Sequence, residues 1–262
     1  MITSKSNGLF KLAMSLDKKK YREQHGLFKI EGLRFVDAAA DQGQLQTVLY
    51  SDRVLKMEGA RDLIGKLQAK GLEVVEMDHK LITDLSDTTS PQGMIGLAKP
   101  PSPFAWEALK DMKRLLVLDR VQDPGNLGTI IRTADAGGID GIILIKGTVD
   151  PFNAKVLRST MGSVFSLPMQ VAVETEDCLE RLKEAGFEVM VTALEEAQVY
   201  DQVDLAKGAA VVIGNEGKGA SAQFMDQADV RITIPMVGSA ESLNAAVAAS
   251  ILIFEGARQA RQ

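Results

Sequence analysis

LDRVQDPGNLGTIIRTADAGG, residues 118–138, decides the fold of this 262-residue chain. It leaves an apolar run predicted as a strand over 114–119, turns through Gln122-Asp123-Pro124-Gly125, and enters an apolar helix predicted to open at Asn126. Two later stretches share the form: VVIGNEGKG at 211–219 and ITIPMVGSAESLNAAVAA at 232–249. In each, an apolar run precedes a turn rich in Gly, Pro or Asn, and in the third an apolar helix follows again. Short apolar runs bounded by turn residues fit buried strands of a parallel sheet. Such sheets bind ligands where the carboxyl ends of their strands release the chain into turns. Three polar turns after three buried strands therefore point to one composite site.

Further strands are expected at 141–145, 187–193, 209–213 and 230–235, with helices between them. The last helix, Ser242 to about Arg258, is apolar nearly all round (Leu243, Val247, Ile251, Leu252, Phe254). Such a helix must be covered on most faces, partly by a second subunit. Toward the N-terminus, residues 9–23 carry Leu9, Leu12, Ala13 and Leu16 at helical spacing. Strands at 27–32, 47–51, 72–78 and 94–100 then alternate with helices at 33–40 and 59–70 and a helical turn at 80–84. Pro100-Pro101-Ser102-Pro103 is the proline-rich linker, stiff rather than loose. The reading is an α/β chain of two domains, 1–100 and 105–262.

Composition narrows the function classes. With 45% hydrophobic and 25% charged residues the chain is ordinary globular protein. It has no apolar run of the roughly 18 residues that would span a bilayer. Charges interrupt the first twenty residues where a signal peptide would be apolar. Cys178 is the single cysteine, so no internal disulfide can form, and a reducing cytoplasm is expected. The two histidines, His25 and His79, lie outside the second domain, which excludes a histidine triad there. No Cys/His cluster has metal-ligand spacing, so no metal site is expected. The run Gly214–Gly219 fails as a Walker A loop, with Val212 where glycine is needed and Gly219 where Ser or Thr is needed. Charge is unevenly spread: residues 1–34 carry +5, from eight basic and three acidic side chains, within a chain of net charge −5. A basic arm on an acidic body fits phosphate contacts, and equally a solvated amphipathic helix.

Asn126–Arg132 (NLGTIIR), Gly214-Asn215-Glu216-Gly217, and Ile234-Pro235-Met236 followed by Ser242-Leu243-Asn244 resemble, in order and spacing, the three motifs of the SpoU (TrmH-type) RNA ribose methyltransferases of the SPOUT class. Residues 18–36 and 87–97 resemble, more loosely, the N-terminal substrate-binding module of that family. The resemblance implies a knotted (trefoil) parallel-sheet methyltransferase domain preceded by a small α/β RNA-binding domain. It also implies S-adenosylmethionine as cofactor, a ribose 2′-hydroxyl in structured RNA as target (ribosomal rather than transfer RNA), and a homodimer. Methyl transfer suits the inventory, because it needs no metal and no covalent nucleophile, only reactants held in line.

By the same resemblance Asn126, Arg132, Glu216 and Asn244 are the catalytic candidates, and Gly214, Asn215, Gly217, Ile234, Met236 and Leu243 line the cofactor. Lys18, Lys19, Lys20, Arg22, Arg34 and Arg158 are the RNA-binding candidates. The residues have plainer readings beside these. Asn126 is a good helix N-cap. Arg132, in an apolar stretch, must meet an anion or reach solvent. The family role for Arg132 is a base, but a guanidinium is not readily deprotonated, and a clamp on an RNA phosphate suits it better. Glu216 reads as an orienting acceptor rather than a base, and Asn244 needs partners near the start of its helix. Gly137-Gly138 and Ala245-Ala246-Val247 depart from the usual family pattern without removing a functional group. A catalytically silent RNA-binding or ribosome-assembly protein, and an RNA base methyltransferase, remain alternatives.

Overall fold

The computed structural model describes all of residues 1–262, and the chain divides into two compact units. The first comprises Met1–Pro101 together with Phe152–Phe165; the second comprises Ser102–Pro151 and Ser166–Gln262. In chain order the first unit begins α1 (Gly8–Ser15), α2 (Lys19–His25), β1 (Phe28–Glu31), α3 (Leu33–Asp41), β2 (Leu45–Tyr50), α4 (Ala60–Ala69), β3 (Glu73–Glu76), α5 (His79–Leu85) and β4 (Met94–Ala98). Its sheet has the order β1-β4-β2-β3, with β4 antiparallel to both neighbours and β2 parallel to β3.

The helix expected over 9–23 is two helices. The chain leaves α1 at Leu16, and the Arg22 guanidinium donates to the carbonyls of Leu16 (2.8 Å) and Asp17 (2.9 Å). Carbonyls released at the helix end thus find a partner inside the chain. Gly26, at φ 61°, then ends α2 in the left-handed conformation that a residue without Cβ adopts freely.

The second unit runs through β5 (Arg114–Leu118), α6 (Pro124–Ala136) and β6 (Gly141–Ile145). The chain next returns to the first unit for α7 (Ala154–Thr160). It continues with β7 (Met169–Val173), α8 (Thr175–Glu184), β8 (Glu188–Thr192), β9 (Gln198–Val199), β10 (Ala209–Ile213), α9 (Ala222–Asp226), β11 (Val230–Thr233) and α10 (Ala245–Gln259). These strands form one seven-stranded parallel sheet of order β7-β6-β5-β10-β8-β11-β9. Every residue of β5, β6 and β10 is buried, which is why their sequences are apolar runs rather than alternations, apart from Arg114 at the start of β5, whose guanidinium donates to the Gly137 and Ile253 carbonyls.

Two strands have no such signature. In β7 only Met169 and Val173 are buried, and Ala172 sits at φ 59° where the register with β6 shifts. An edge strand broken by a bulge has neither a long apolar run nor strict alternation. β9 is two residues long.

The segment Phe152–Phe165 was expected with the second domain and packs with the first unit. Fully buried Phe28 meets the rings of Phe152 (4.9 Å between centroids) and Phe165 (5.8 Å), and Phe165 meets Phe35 edge-on at 5.5 Å. Aromatic pairs at this spacing add to the burial of their large apolar surfaces.

Candidate active site

Because β5, β10, β8 and β11 are parallel, their carboxyl ends open on one edge of the sheet. The three quoted stretches leave the sheet there as turns after β5, β10 and β11. Helix α6 does not open at Asn126. Asp123 is its N-cap, accepting the Asn126 N–H at 2.8 Å, and Pro124 holds the first helical position, where its missing N–H costs nothing. Asn126 is therefore inside the first turn, buried, with its amide free for other partners. Asn244 does cap its helix: its Oδ1 accepts from the N–H groups of Ala246 (2.9 Å) and Val247 (3.3 Å) at the start of α10.

These residues form one chain of hydrogen bonds across all three turns. The Asn244 amide donates to Asn126 Oδ1 at 2.9 Å, and Asn126 Nδ2 donates to Glu216 Oε1 at 3.0 Å. Glu216 also accepts the backbone N–H groups of Asp123 (3.0 Å) and Gln122 (3.1 Å). Partial burial alone would raise the Glu216 pKa. The donors from Asn126, Gln122, its own backbone and Asp123 outweigh that and hold the carboxyl below its ordinary value. Glu216 is thus a carboxylate committed to orienting its neighbours. Both amides are oriented as well, and each has a second N–H that nothing in the chain accepts.

Arg132 stands apart from this network. It lies six residues beyond Asn126 on α6, roughly 9 Å along the axis and about 240° around it. Arg132 is exposed and makes no hydrogen bond or ion pair within the chain. The arginine reaches solvent, as an unpaired charge must.

The remaining candidates in the second unit border the same edge. Gly214 is buried, and a Cβ there would meet the backbone of Gly219 and Ala220 at 2.2 and 2.1 Å, so no side chain fits. Asn215 folds its loop by accepting the N–H groups of Gly217 (3.0 Å) and Lys218 (3.1 Å) on Oδ1. Ile234, Met236 and Leu243 are half-buried. From Pro235 to Leu243 the backbone makes no hydrogen bond within the chain. Apolar side chains beside unengaged amides and carbonyls suit a flat heterocycle with a polar edge.

In the first unit, Lys18, Lys19, Lys20, Arg34 and Arg158 are exposed, whereas the guanidinium of half-buried Arg22 is turned onto the end of α1. Arg158, on α7, donates to the Asp87 carbonyl at 3.4 Å. Asp119, Gln122 and Asp123 were not among the candidates. Asp before Pro at a helix start is a legible cap signal; the buried Asp119 has none.

Residues 113–254 match the SpoU rRNA methylase family, and residues 7–96 match the MRM3-like substrate binding domain. The chain is 35% identical, over 97% of both proteins, to the 23S rRNA (guanosine(2553)-2′-O)-methyltransferase RlmP of Bacillus subtilis. Among solved structures, an AdoMet-bound rRNA methyltransferase from Sinorhizobium meliloti superposes with a TM-score of 0.86 at 37% identity, covering 98% of this chain and 97% of that one. The SpoU methyltransferase AviRb from Streptomyces viridochromogenes, in complex with AdoMet, gives 0.84 at 29% identity, covering 97% of this chain and 98% of that one. With its three loops joined through Asn126, Glu216 and Asn244, and with both of its halves matched, the chain belongs to the SpoU rRNA methylase family.

Proposed function

We propose that this protein transfers a methyl group from S-adenosylmethionine to a ribose 2′-hydroxyl in structured ribosomal RNA, in the cytoplasm, as a homodimer. The observation that carries the reading is the Asn244–Asn126–Glu216 chain, which brings all three polar loops to one place. The cofactor, when bound, supplies a methyl group on a sulfonium whose sulfur is its own leaving group. Gly214, Asn215, Gly217, Ile234, Met236 and Leu243 would hold it, through half-buried apolar contacts and the unengaged backbone of Pro235–Leu243.

The chain's own contribution is positioning. Glu216 fixes the Asn126 amide, Asn126 fixes that of Asn244, and each amide keeps one N–H without an acceptor in the chain. We assign the planar guanidinium of Arg132 an RNA phosphate beside the reacting ribose, in a site completed by the second subunit. In the first unit Lys18, Lys19, Lys20, Arg34 and Arg158 supply exposed positive charge for the RNA backbone, and Arg22 keeps α1 and α2 in place beneath it. Residues 1–100 then serve as RNA-binding domain and 105–262 as methyltransferase domain, with α7 lent by the second stretch of chain to the first unit. We also assign the second unit the trefoil knot of the SPOUT class. The Gln259 side chain at the end of α10 is held by Val203 and Leu205, whose segment that helix would pass in a threaded arrangement.

The test is incubation with methyl-labelled S-adenosylmethionine and size-fractionated RNA, followed by nucleoside mass spectrometry. A 2′-O-methyl nucleoside from ribosomal RNA is the expected product. A base-methylated nucleoside, or protein that binds RNA but neither binds S-adenosylmethionine nor labels the RNA, would overturn the reading.

A further inference from the structure

The Asp119 carboxylate is completely buried, yet nothing in the network above uses it. Its Oδ2 accepts the Ser221 N–H at 2.6 Å, and its two oxygens take the neighbouring Arg120 guanidinium at 2.9 and 3.3 Å. Arg120 holds a left-handed backbone, φ 59°, a conformation that costs any residue with a Cβ. That conformation turns its carbonyl to accept Asn215 Nδ2 at 2.8 Å and Gln122 Nε2 at 3.2 Å. The Arg120 side chain passes so close over Gly147, itself at φ 96°, that a Cβ there would lie 3.2 Å from its Cγ. Arg120 N–H donates to Thr148 Oγ1 at 3.1 Å, and Val149 N–H to the Val121 carbonyl at 2.9 Å. The loop after β6 is thereby tied to Arg120 and to Val121 beside it.

The loop Gly214–Ser221 is therefore gripped at both ends by adjacent residues of β5's exit: at Asn215 by the Arg120 carbonyl and at Ser221 by the Asp119 carboxylate. Between the grips the loop closes on itself through the paired Asn215 and Gly219 backbones, 2.9 Å in each direction. Glu216 stands at its tip. A shift of either grip moves Glu216, and with it the Asn126 amide that Glu216 orients. Strain kept at a site implies that the surroundings over-determine it, and strained residues cluster where geometry serves function.

We infer that Asp119 and Arg120 are positioning residues for methyl transfer: they set the shape of the Gly214–Ser221 loop and, through Glu216, the aim of Asn126. The inference rests on the proposed methyltransferase reading, and its test separates the two. Wild type, Asp119→Ala, Asp119→Asn, Glu216→Gln and the Asp119→Ala/Glu216→Gln double variant are compared in the labelling assay, with amide hydrogen exchange measured in parallel. Asp119→Ala is expected to lower kcat by about 10- to 100-fold, the scale set by small misplacements of reacting groups. Its KM for RNA should stay within about twofold, since uniform binding is untouched. Asp119→Asn, whose amide oxygen still accepts the Ser221 N–H, should recover most of kcat. The Asp119→Ala and Glu216→Gln losses should be strongly non-additive, as for groups acting as a unit.

If Asp119→Ala fails to fold, Asn215→Ala releases the other grip, together with the Oδ1 contacts to Gly217 and Lys218, and should show the same non-additivity with Glu216→Gln when kcat is compared at saturating S-adenosylmethionine. Either release should speed exchange of the 215–221 amides and of Gln122 and Asp123. Wild-type protein without any transfer overturns the methyltransferase reading, and exchange still decides the loop's support. Active wild type with unchanged kcat in both releases, additive losses, or unaltered exchange overturns the positioning role.

Discussion

At the scale of single residues, the site is a relay of fixed orientations rather than a set of proton-transfer groups. Replacing Asn126 with Ala removes two hydrogen bonds at once and leaves Glu216 and Asn244 without their shared partner. We expect kcat to fall by about 100-fold or more, the loss expected from misaimed reactants, with little change in cofactor affinity; steady-state kinetics and calorimetry check both. Glu216 provides a pH test. Its folded pKa lies below the ordinary 4.5, so its stabilisation is in place above that value and is lost as pH falls through the folded one. The rate between about pH 6 and 9 should therefore show no limb that disappears in Glu216→Gln. A limb in that range lost on this substitution would make Glu216 a base after all. Cys178, fully buried on α8, has its thiol pushed up to about 12, chiefly by burial and further by Asp177 and Asp119. Alkylation at pH 8 should be negligible in the native protein and complete in denaturant, a direct readout of unfolding.

At the scale of elements, the helices and central strands were legible because their causes are local. Asp78 before α5, Asn153 before α7 and Asn244 before α10 each accept a backbone N–H in the first turn, and the strands at the centre of the second sheet are apolar runs after Arg114. The interruption of α1 and α2, the bulged edge strand β7 and the allegiance of α7 were not legible. Each depends on a partner far away in sequence: the place of the Phe152–Phe165 segment is decided by Phe28 and Phe35, more than a hundred residues earlier. It follows that residues 1–101 expressed alone leave Phe28 and Phe35 uncovered and should not give a cooperative unfolding transition. In the full chain Phe165→Ala should cost about 3–5 kcal/mol, the usual range for removing a buried phenylalanine, as read from denaturant midpoints.

At the scale of the molecule, α10 packs along α6 but leaves Val247 47% and Phe254 49% exposed. The expectation of an all-round buried helix is thus met only in part within one chain, and the proposed homodimer is where the rest would be covered. Phe254→Asp is expected to yield a folded monomer in sedimentation whose methyl transfer is lost together with the dimer, because Arg132 faces away from its own Asn126. A monomeric wild type with full activity would remove the second subunit from the site. Periodicity, capping and turn chemistry act over a few neighbours, so the amino-acid pattern alone carries the central strands, the helices between them, the three polar turns and the residue types that crowd those turns, but not the edge strands β7 and β9. Only the tertiary structure decided which of those residues touch. Asn126 meets Glu216 across 90 positions and Asn244 across 118, Asp123 rather than Asn126 caps the helix, and Asp119 and Arg120 hold the middle loop. Such partnerships arise when separate strands are packed into one sheet, and no local pattern of residues carries them.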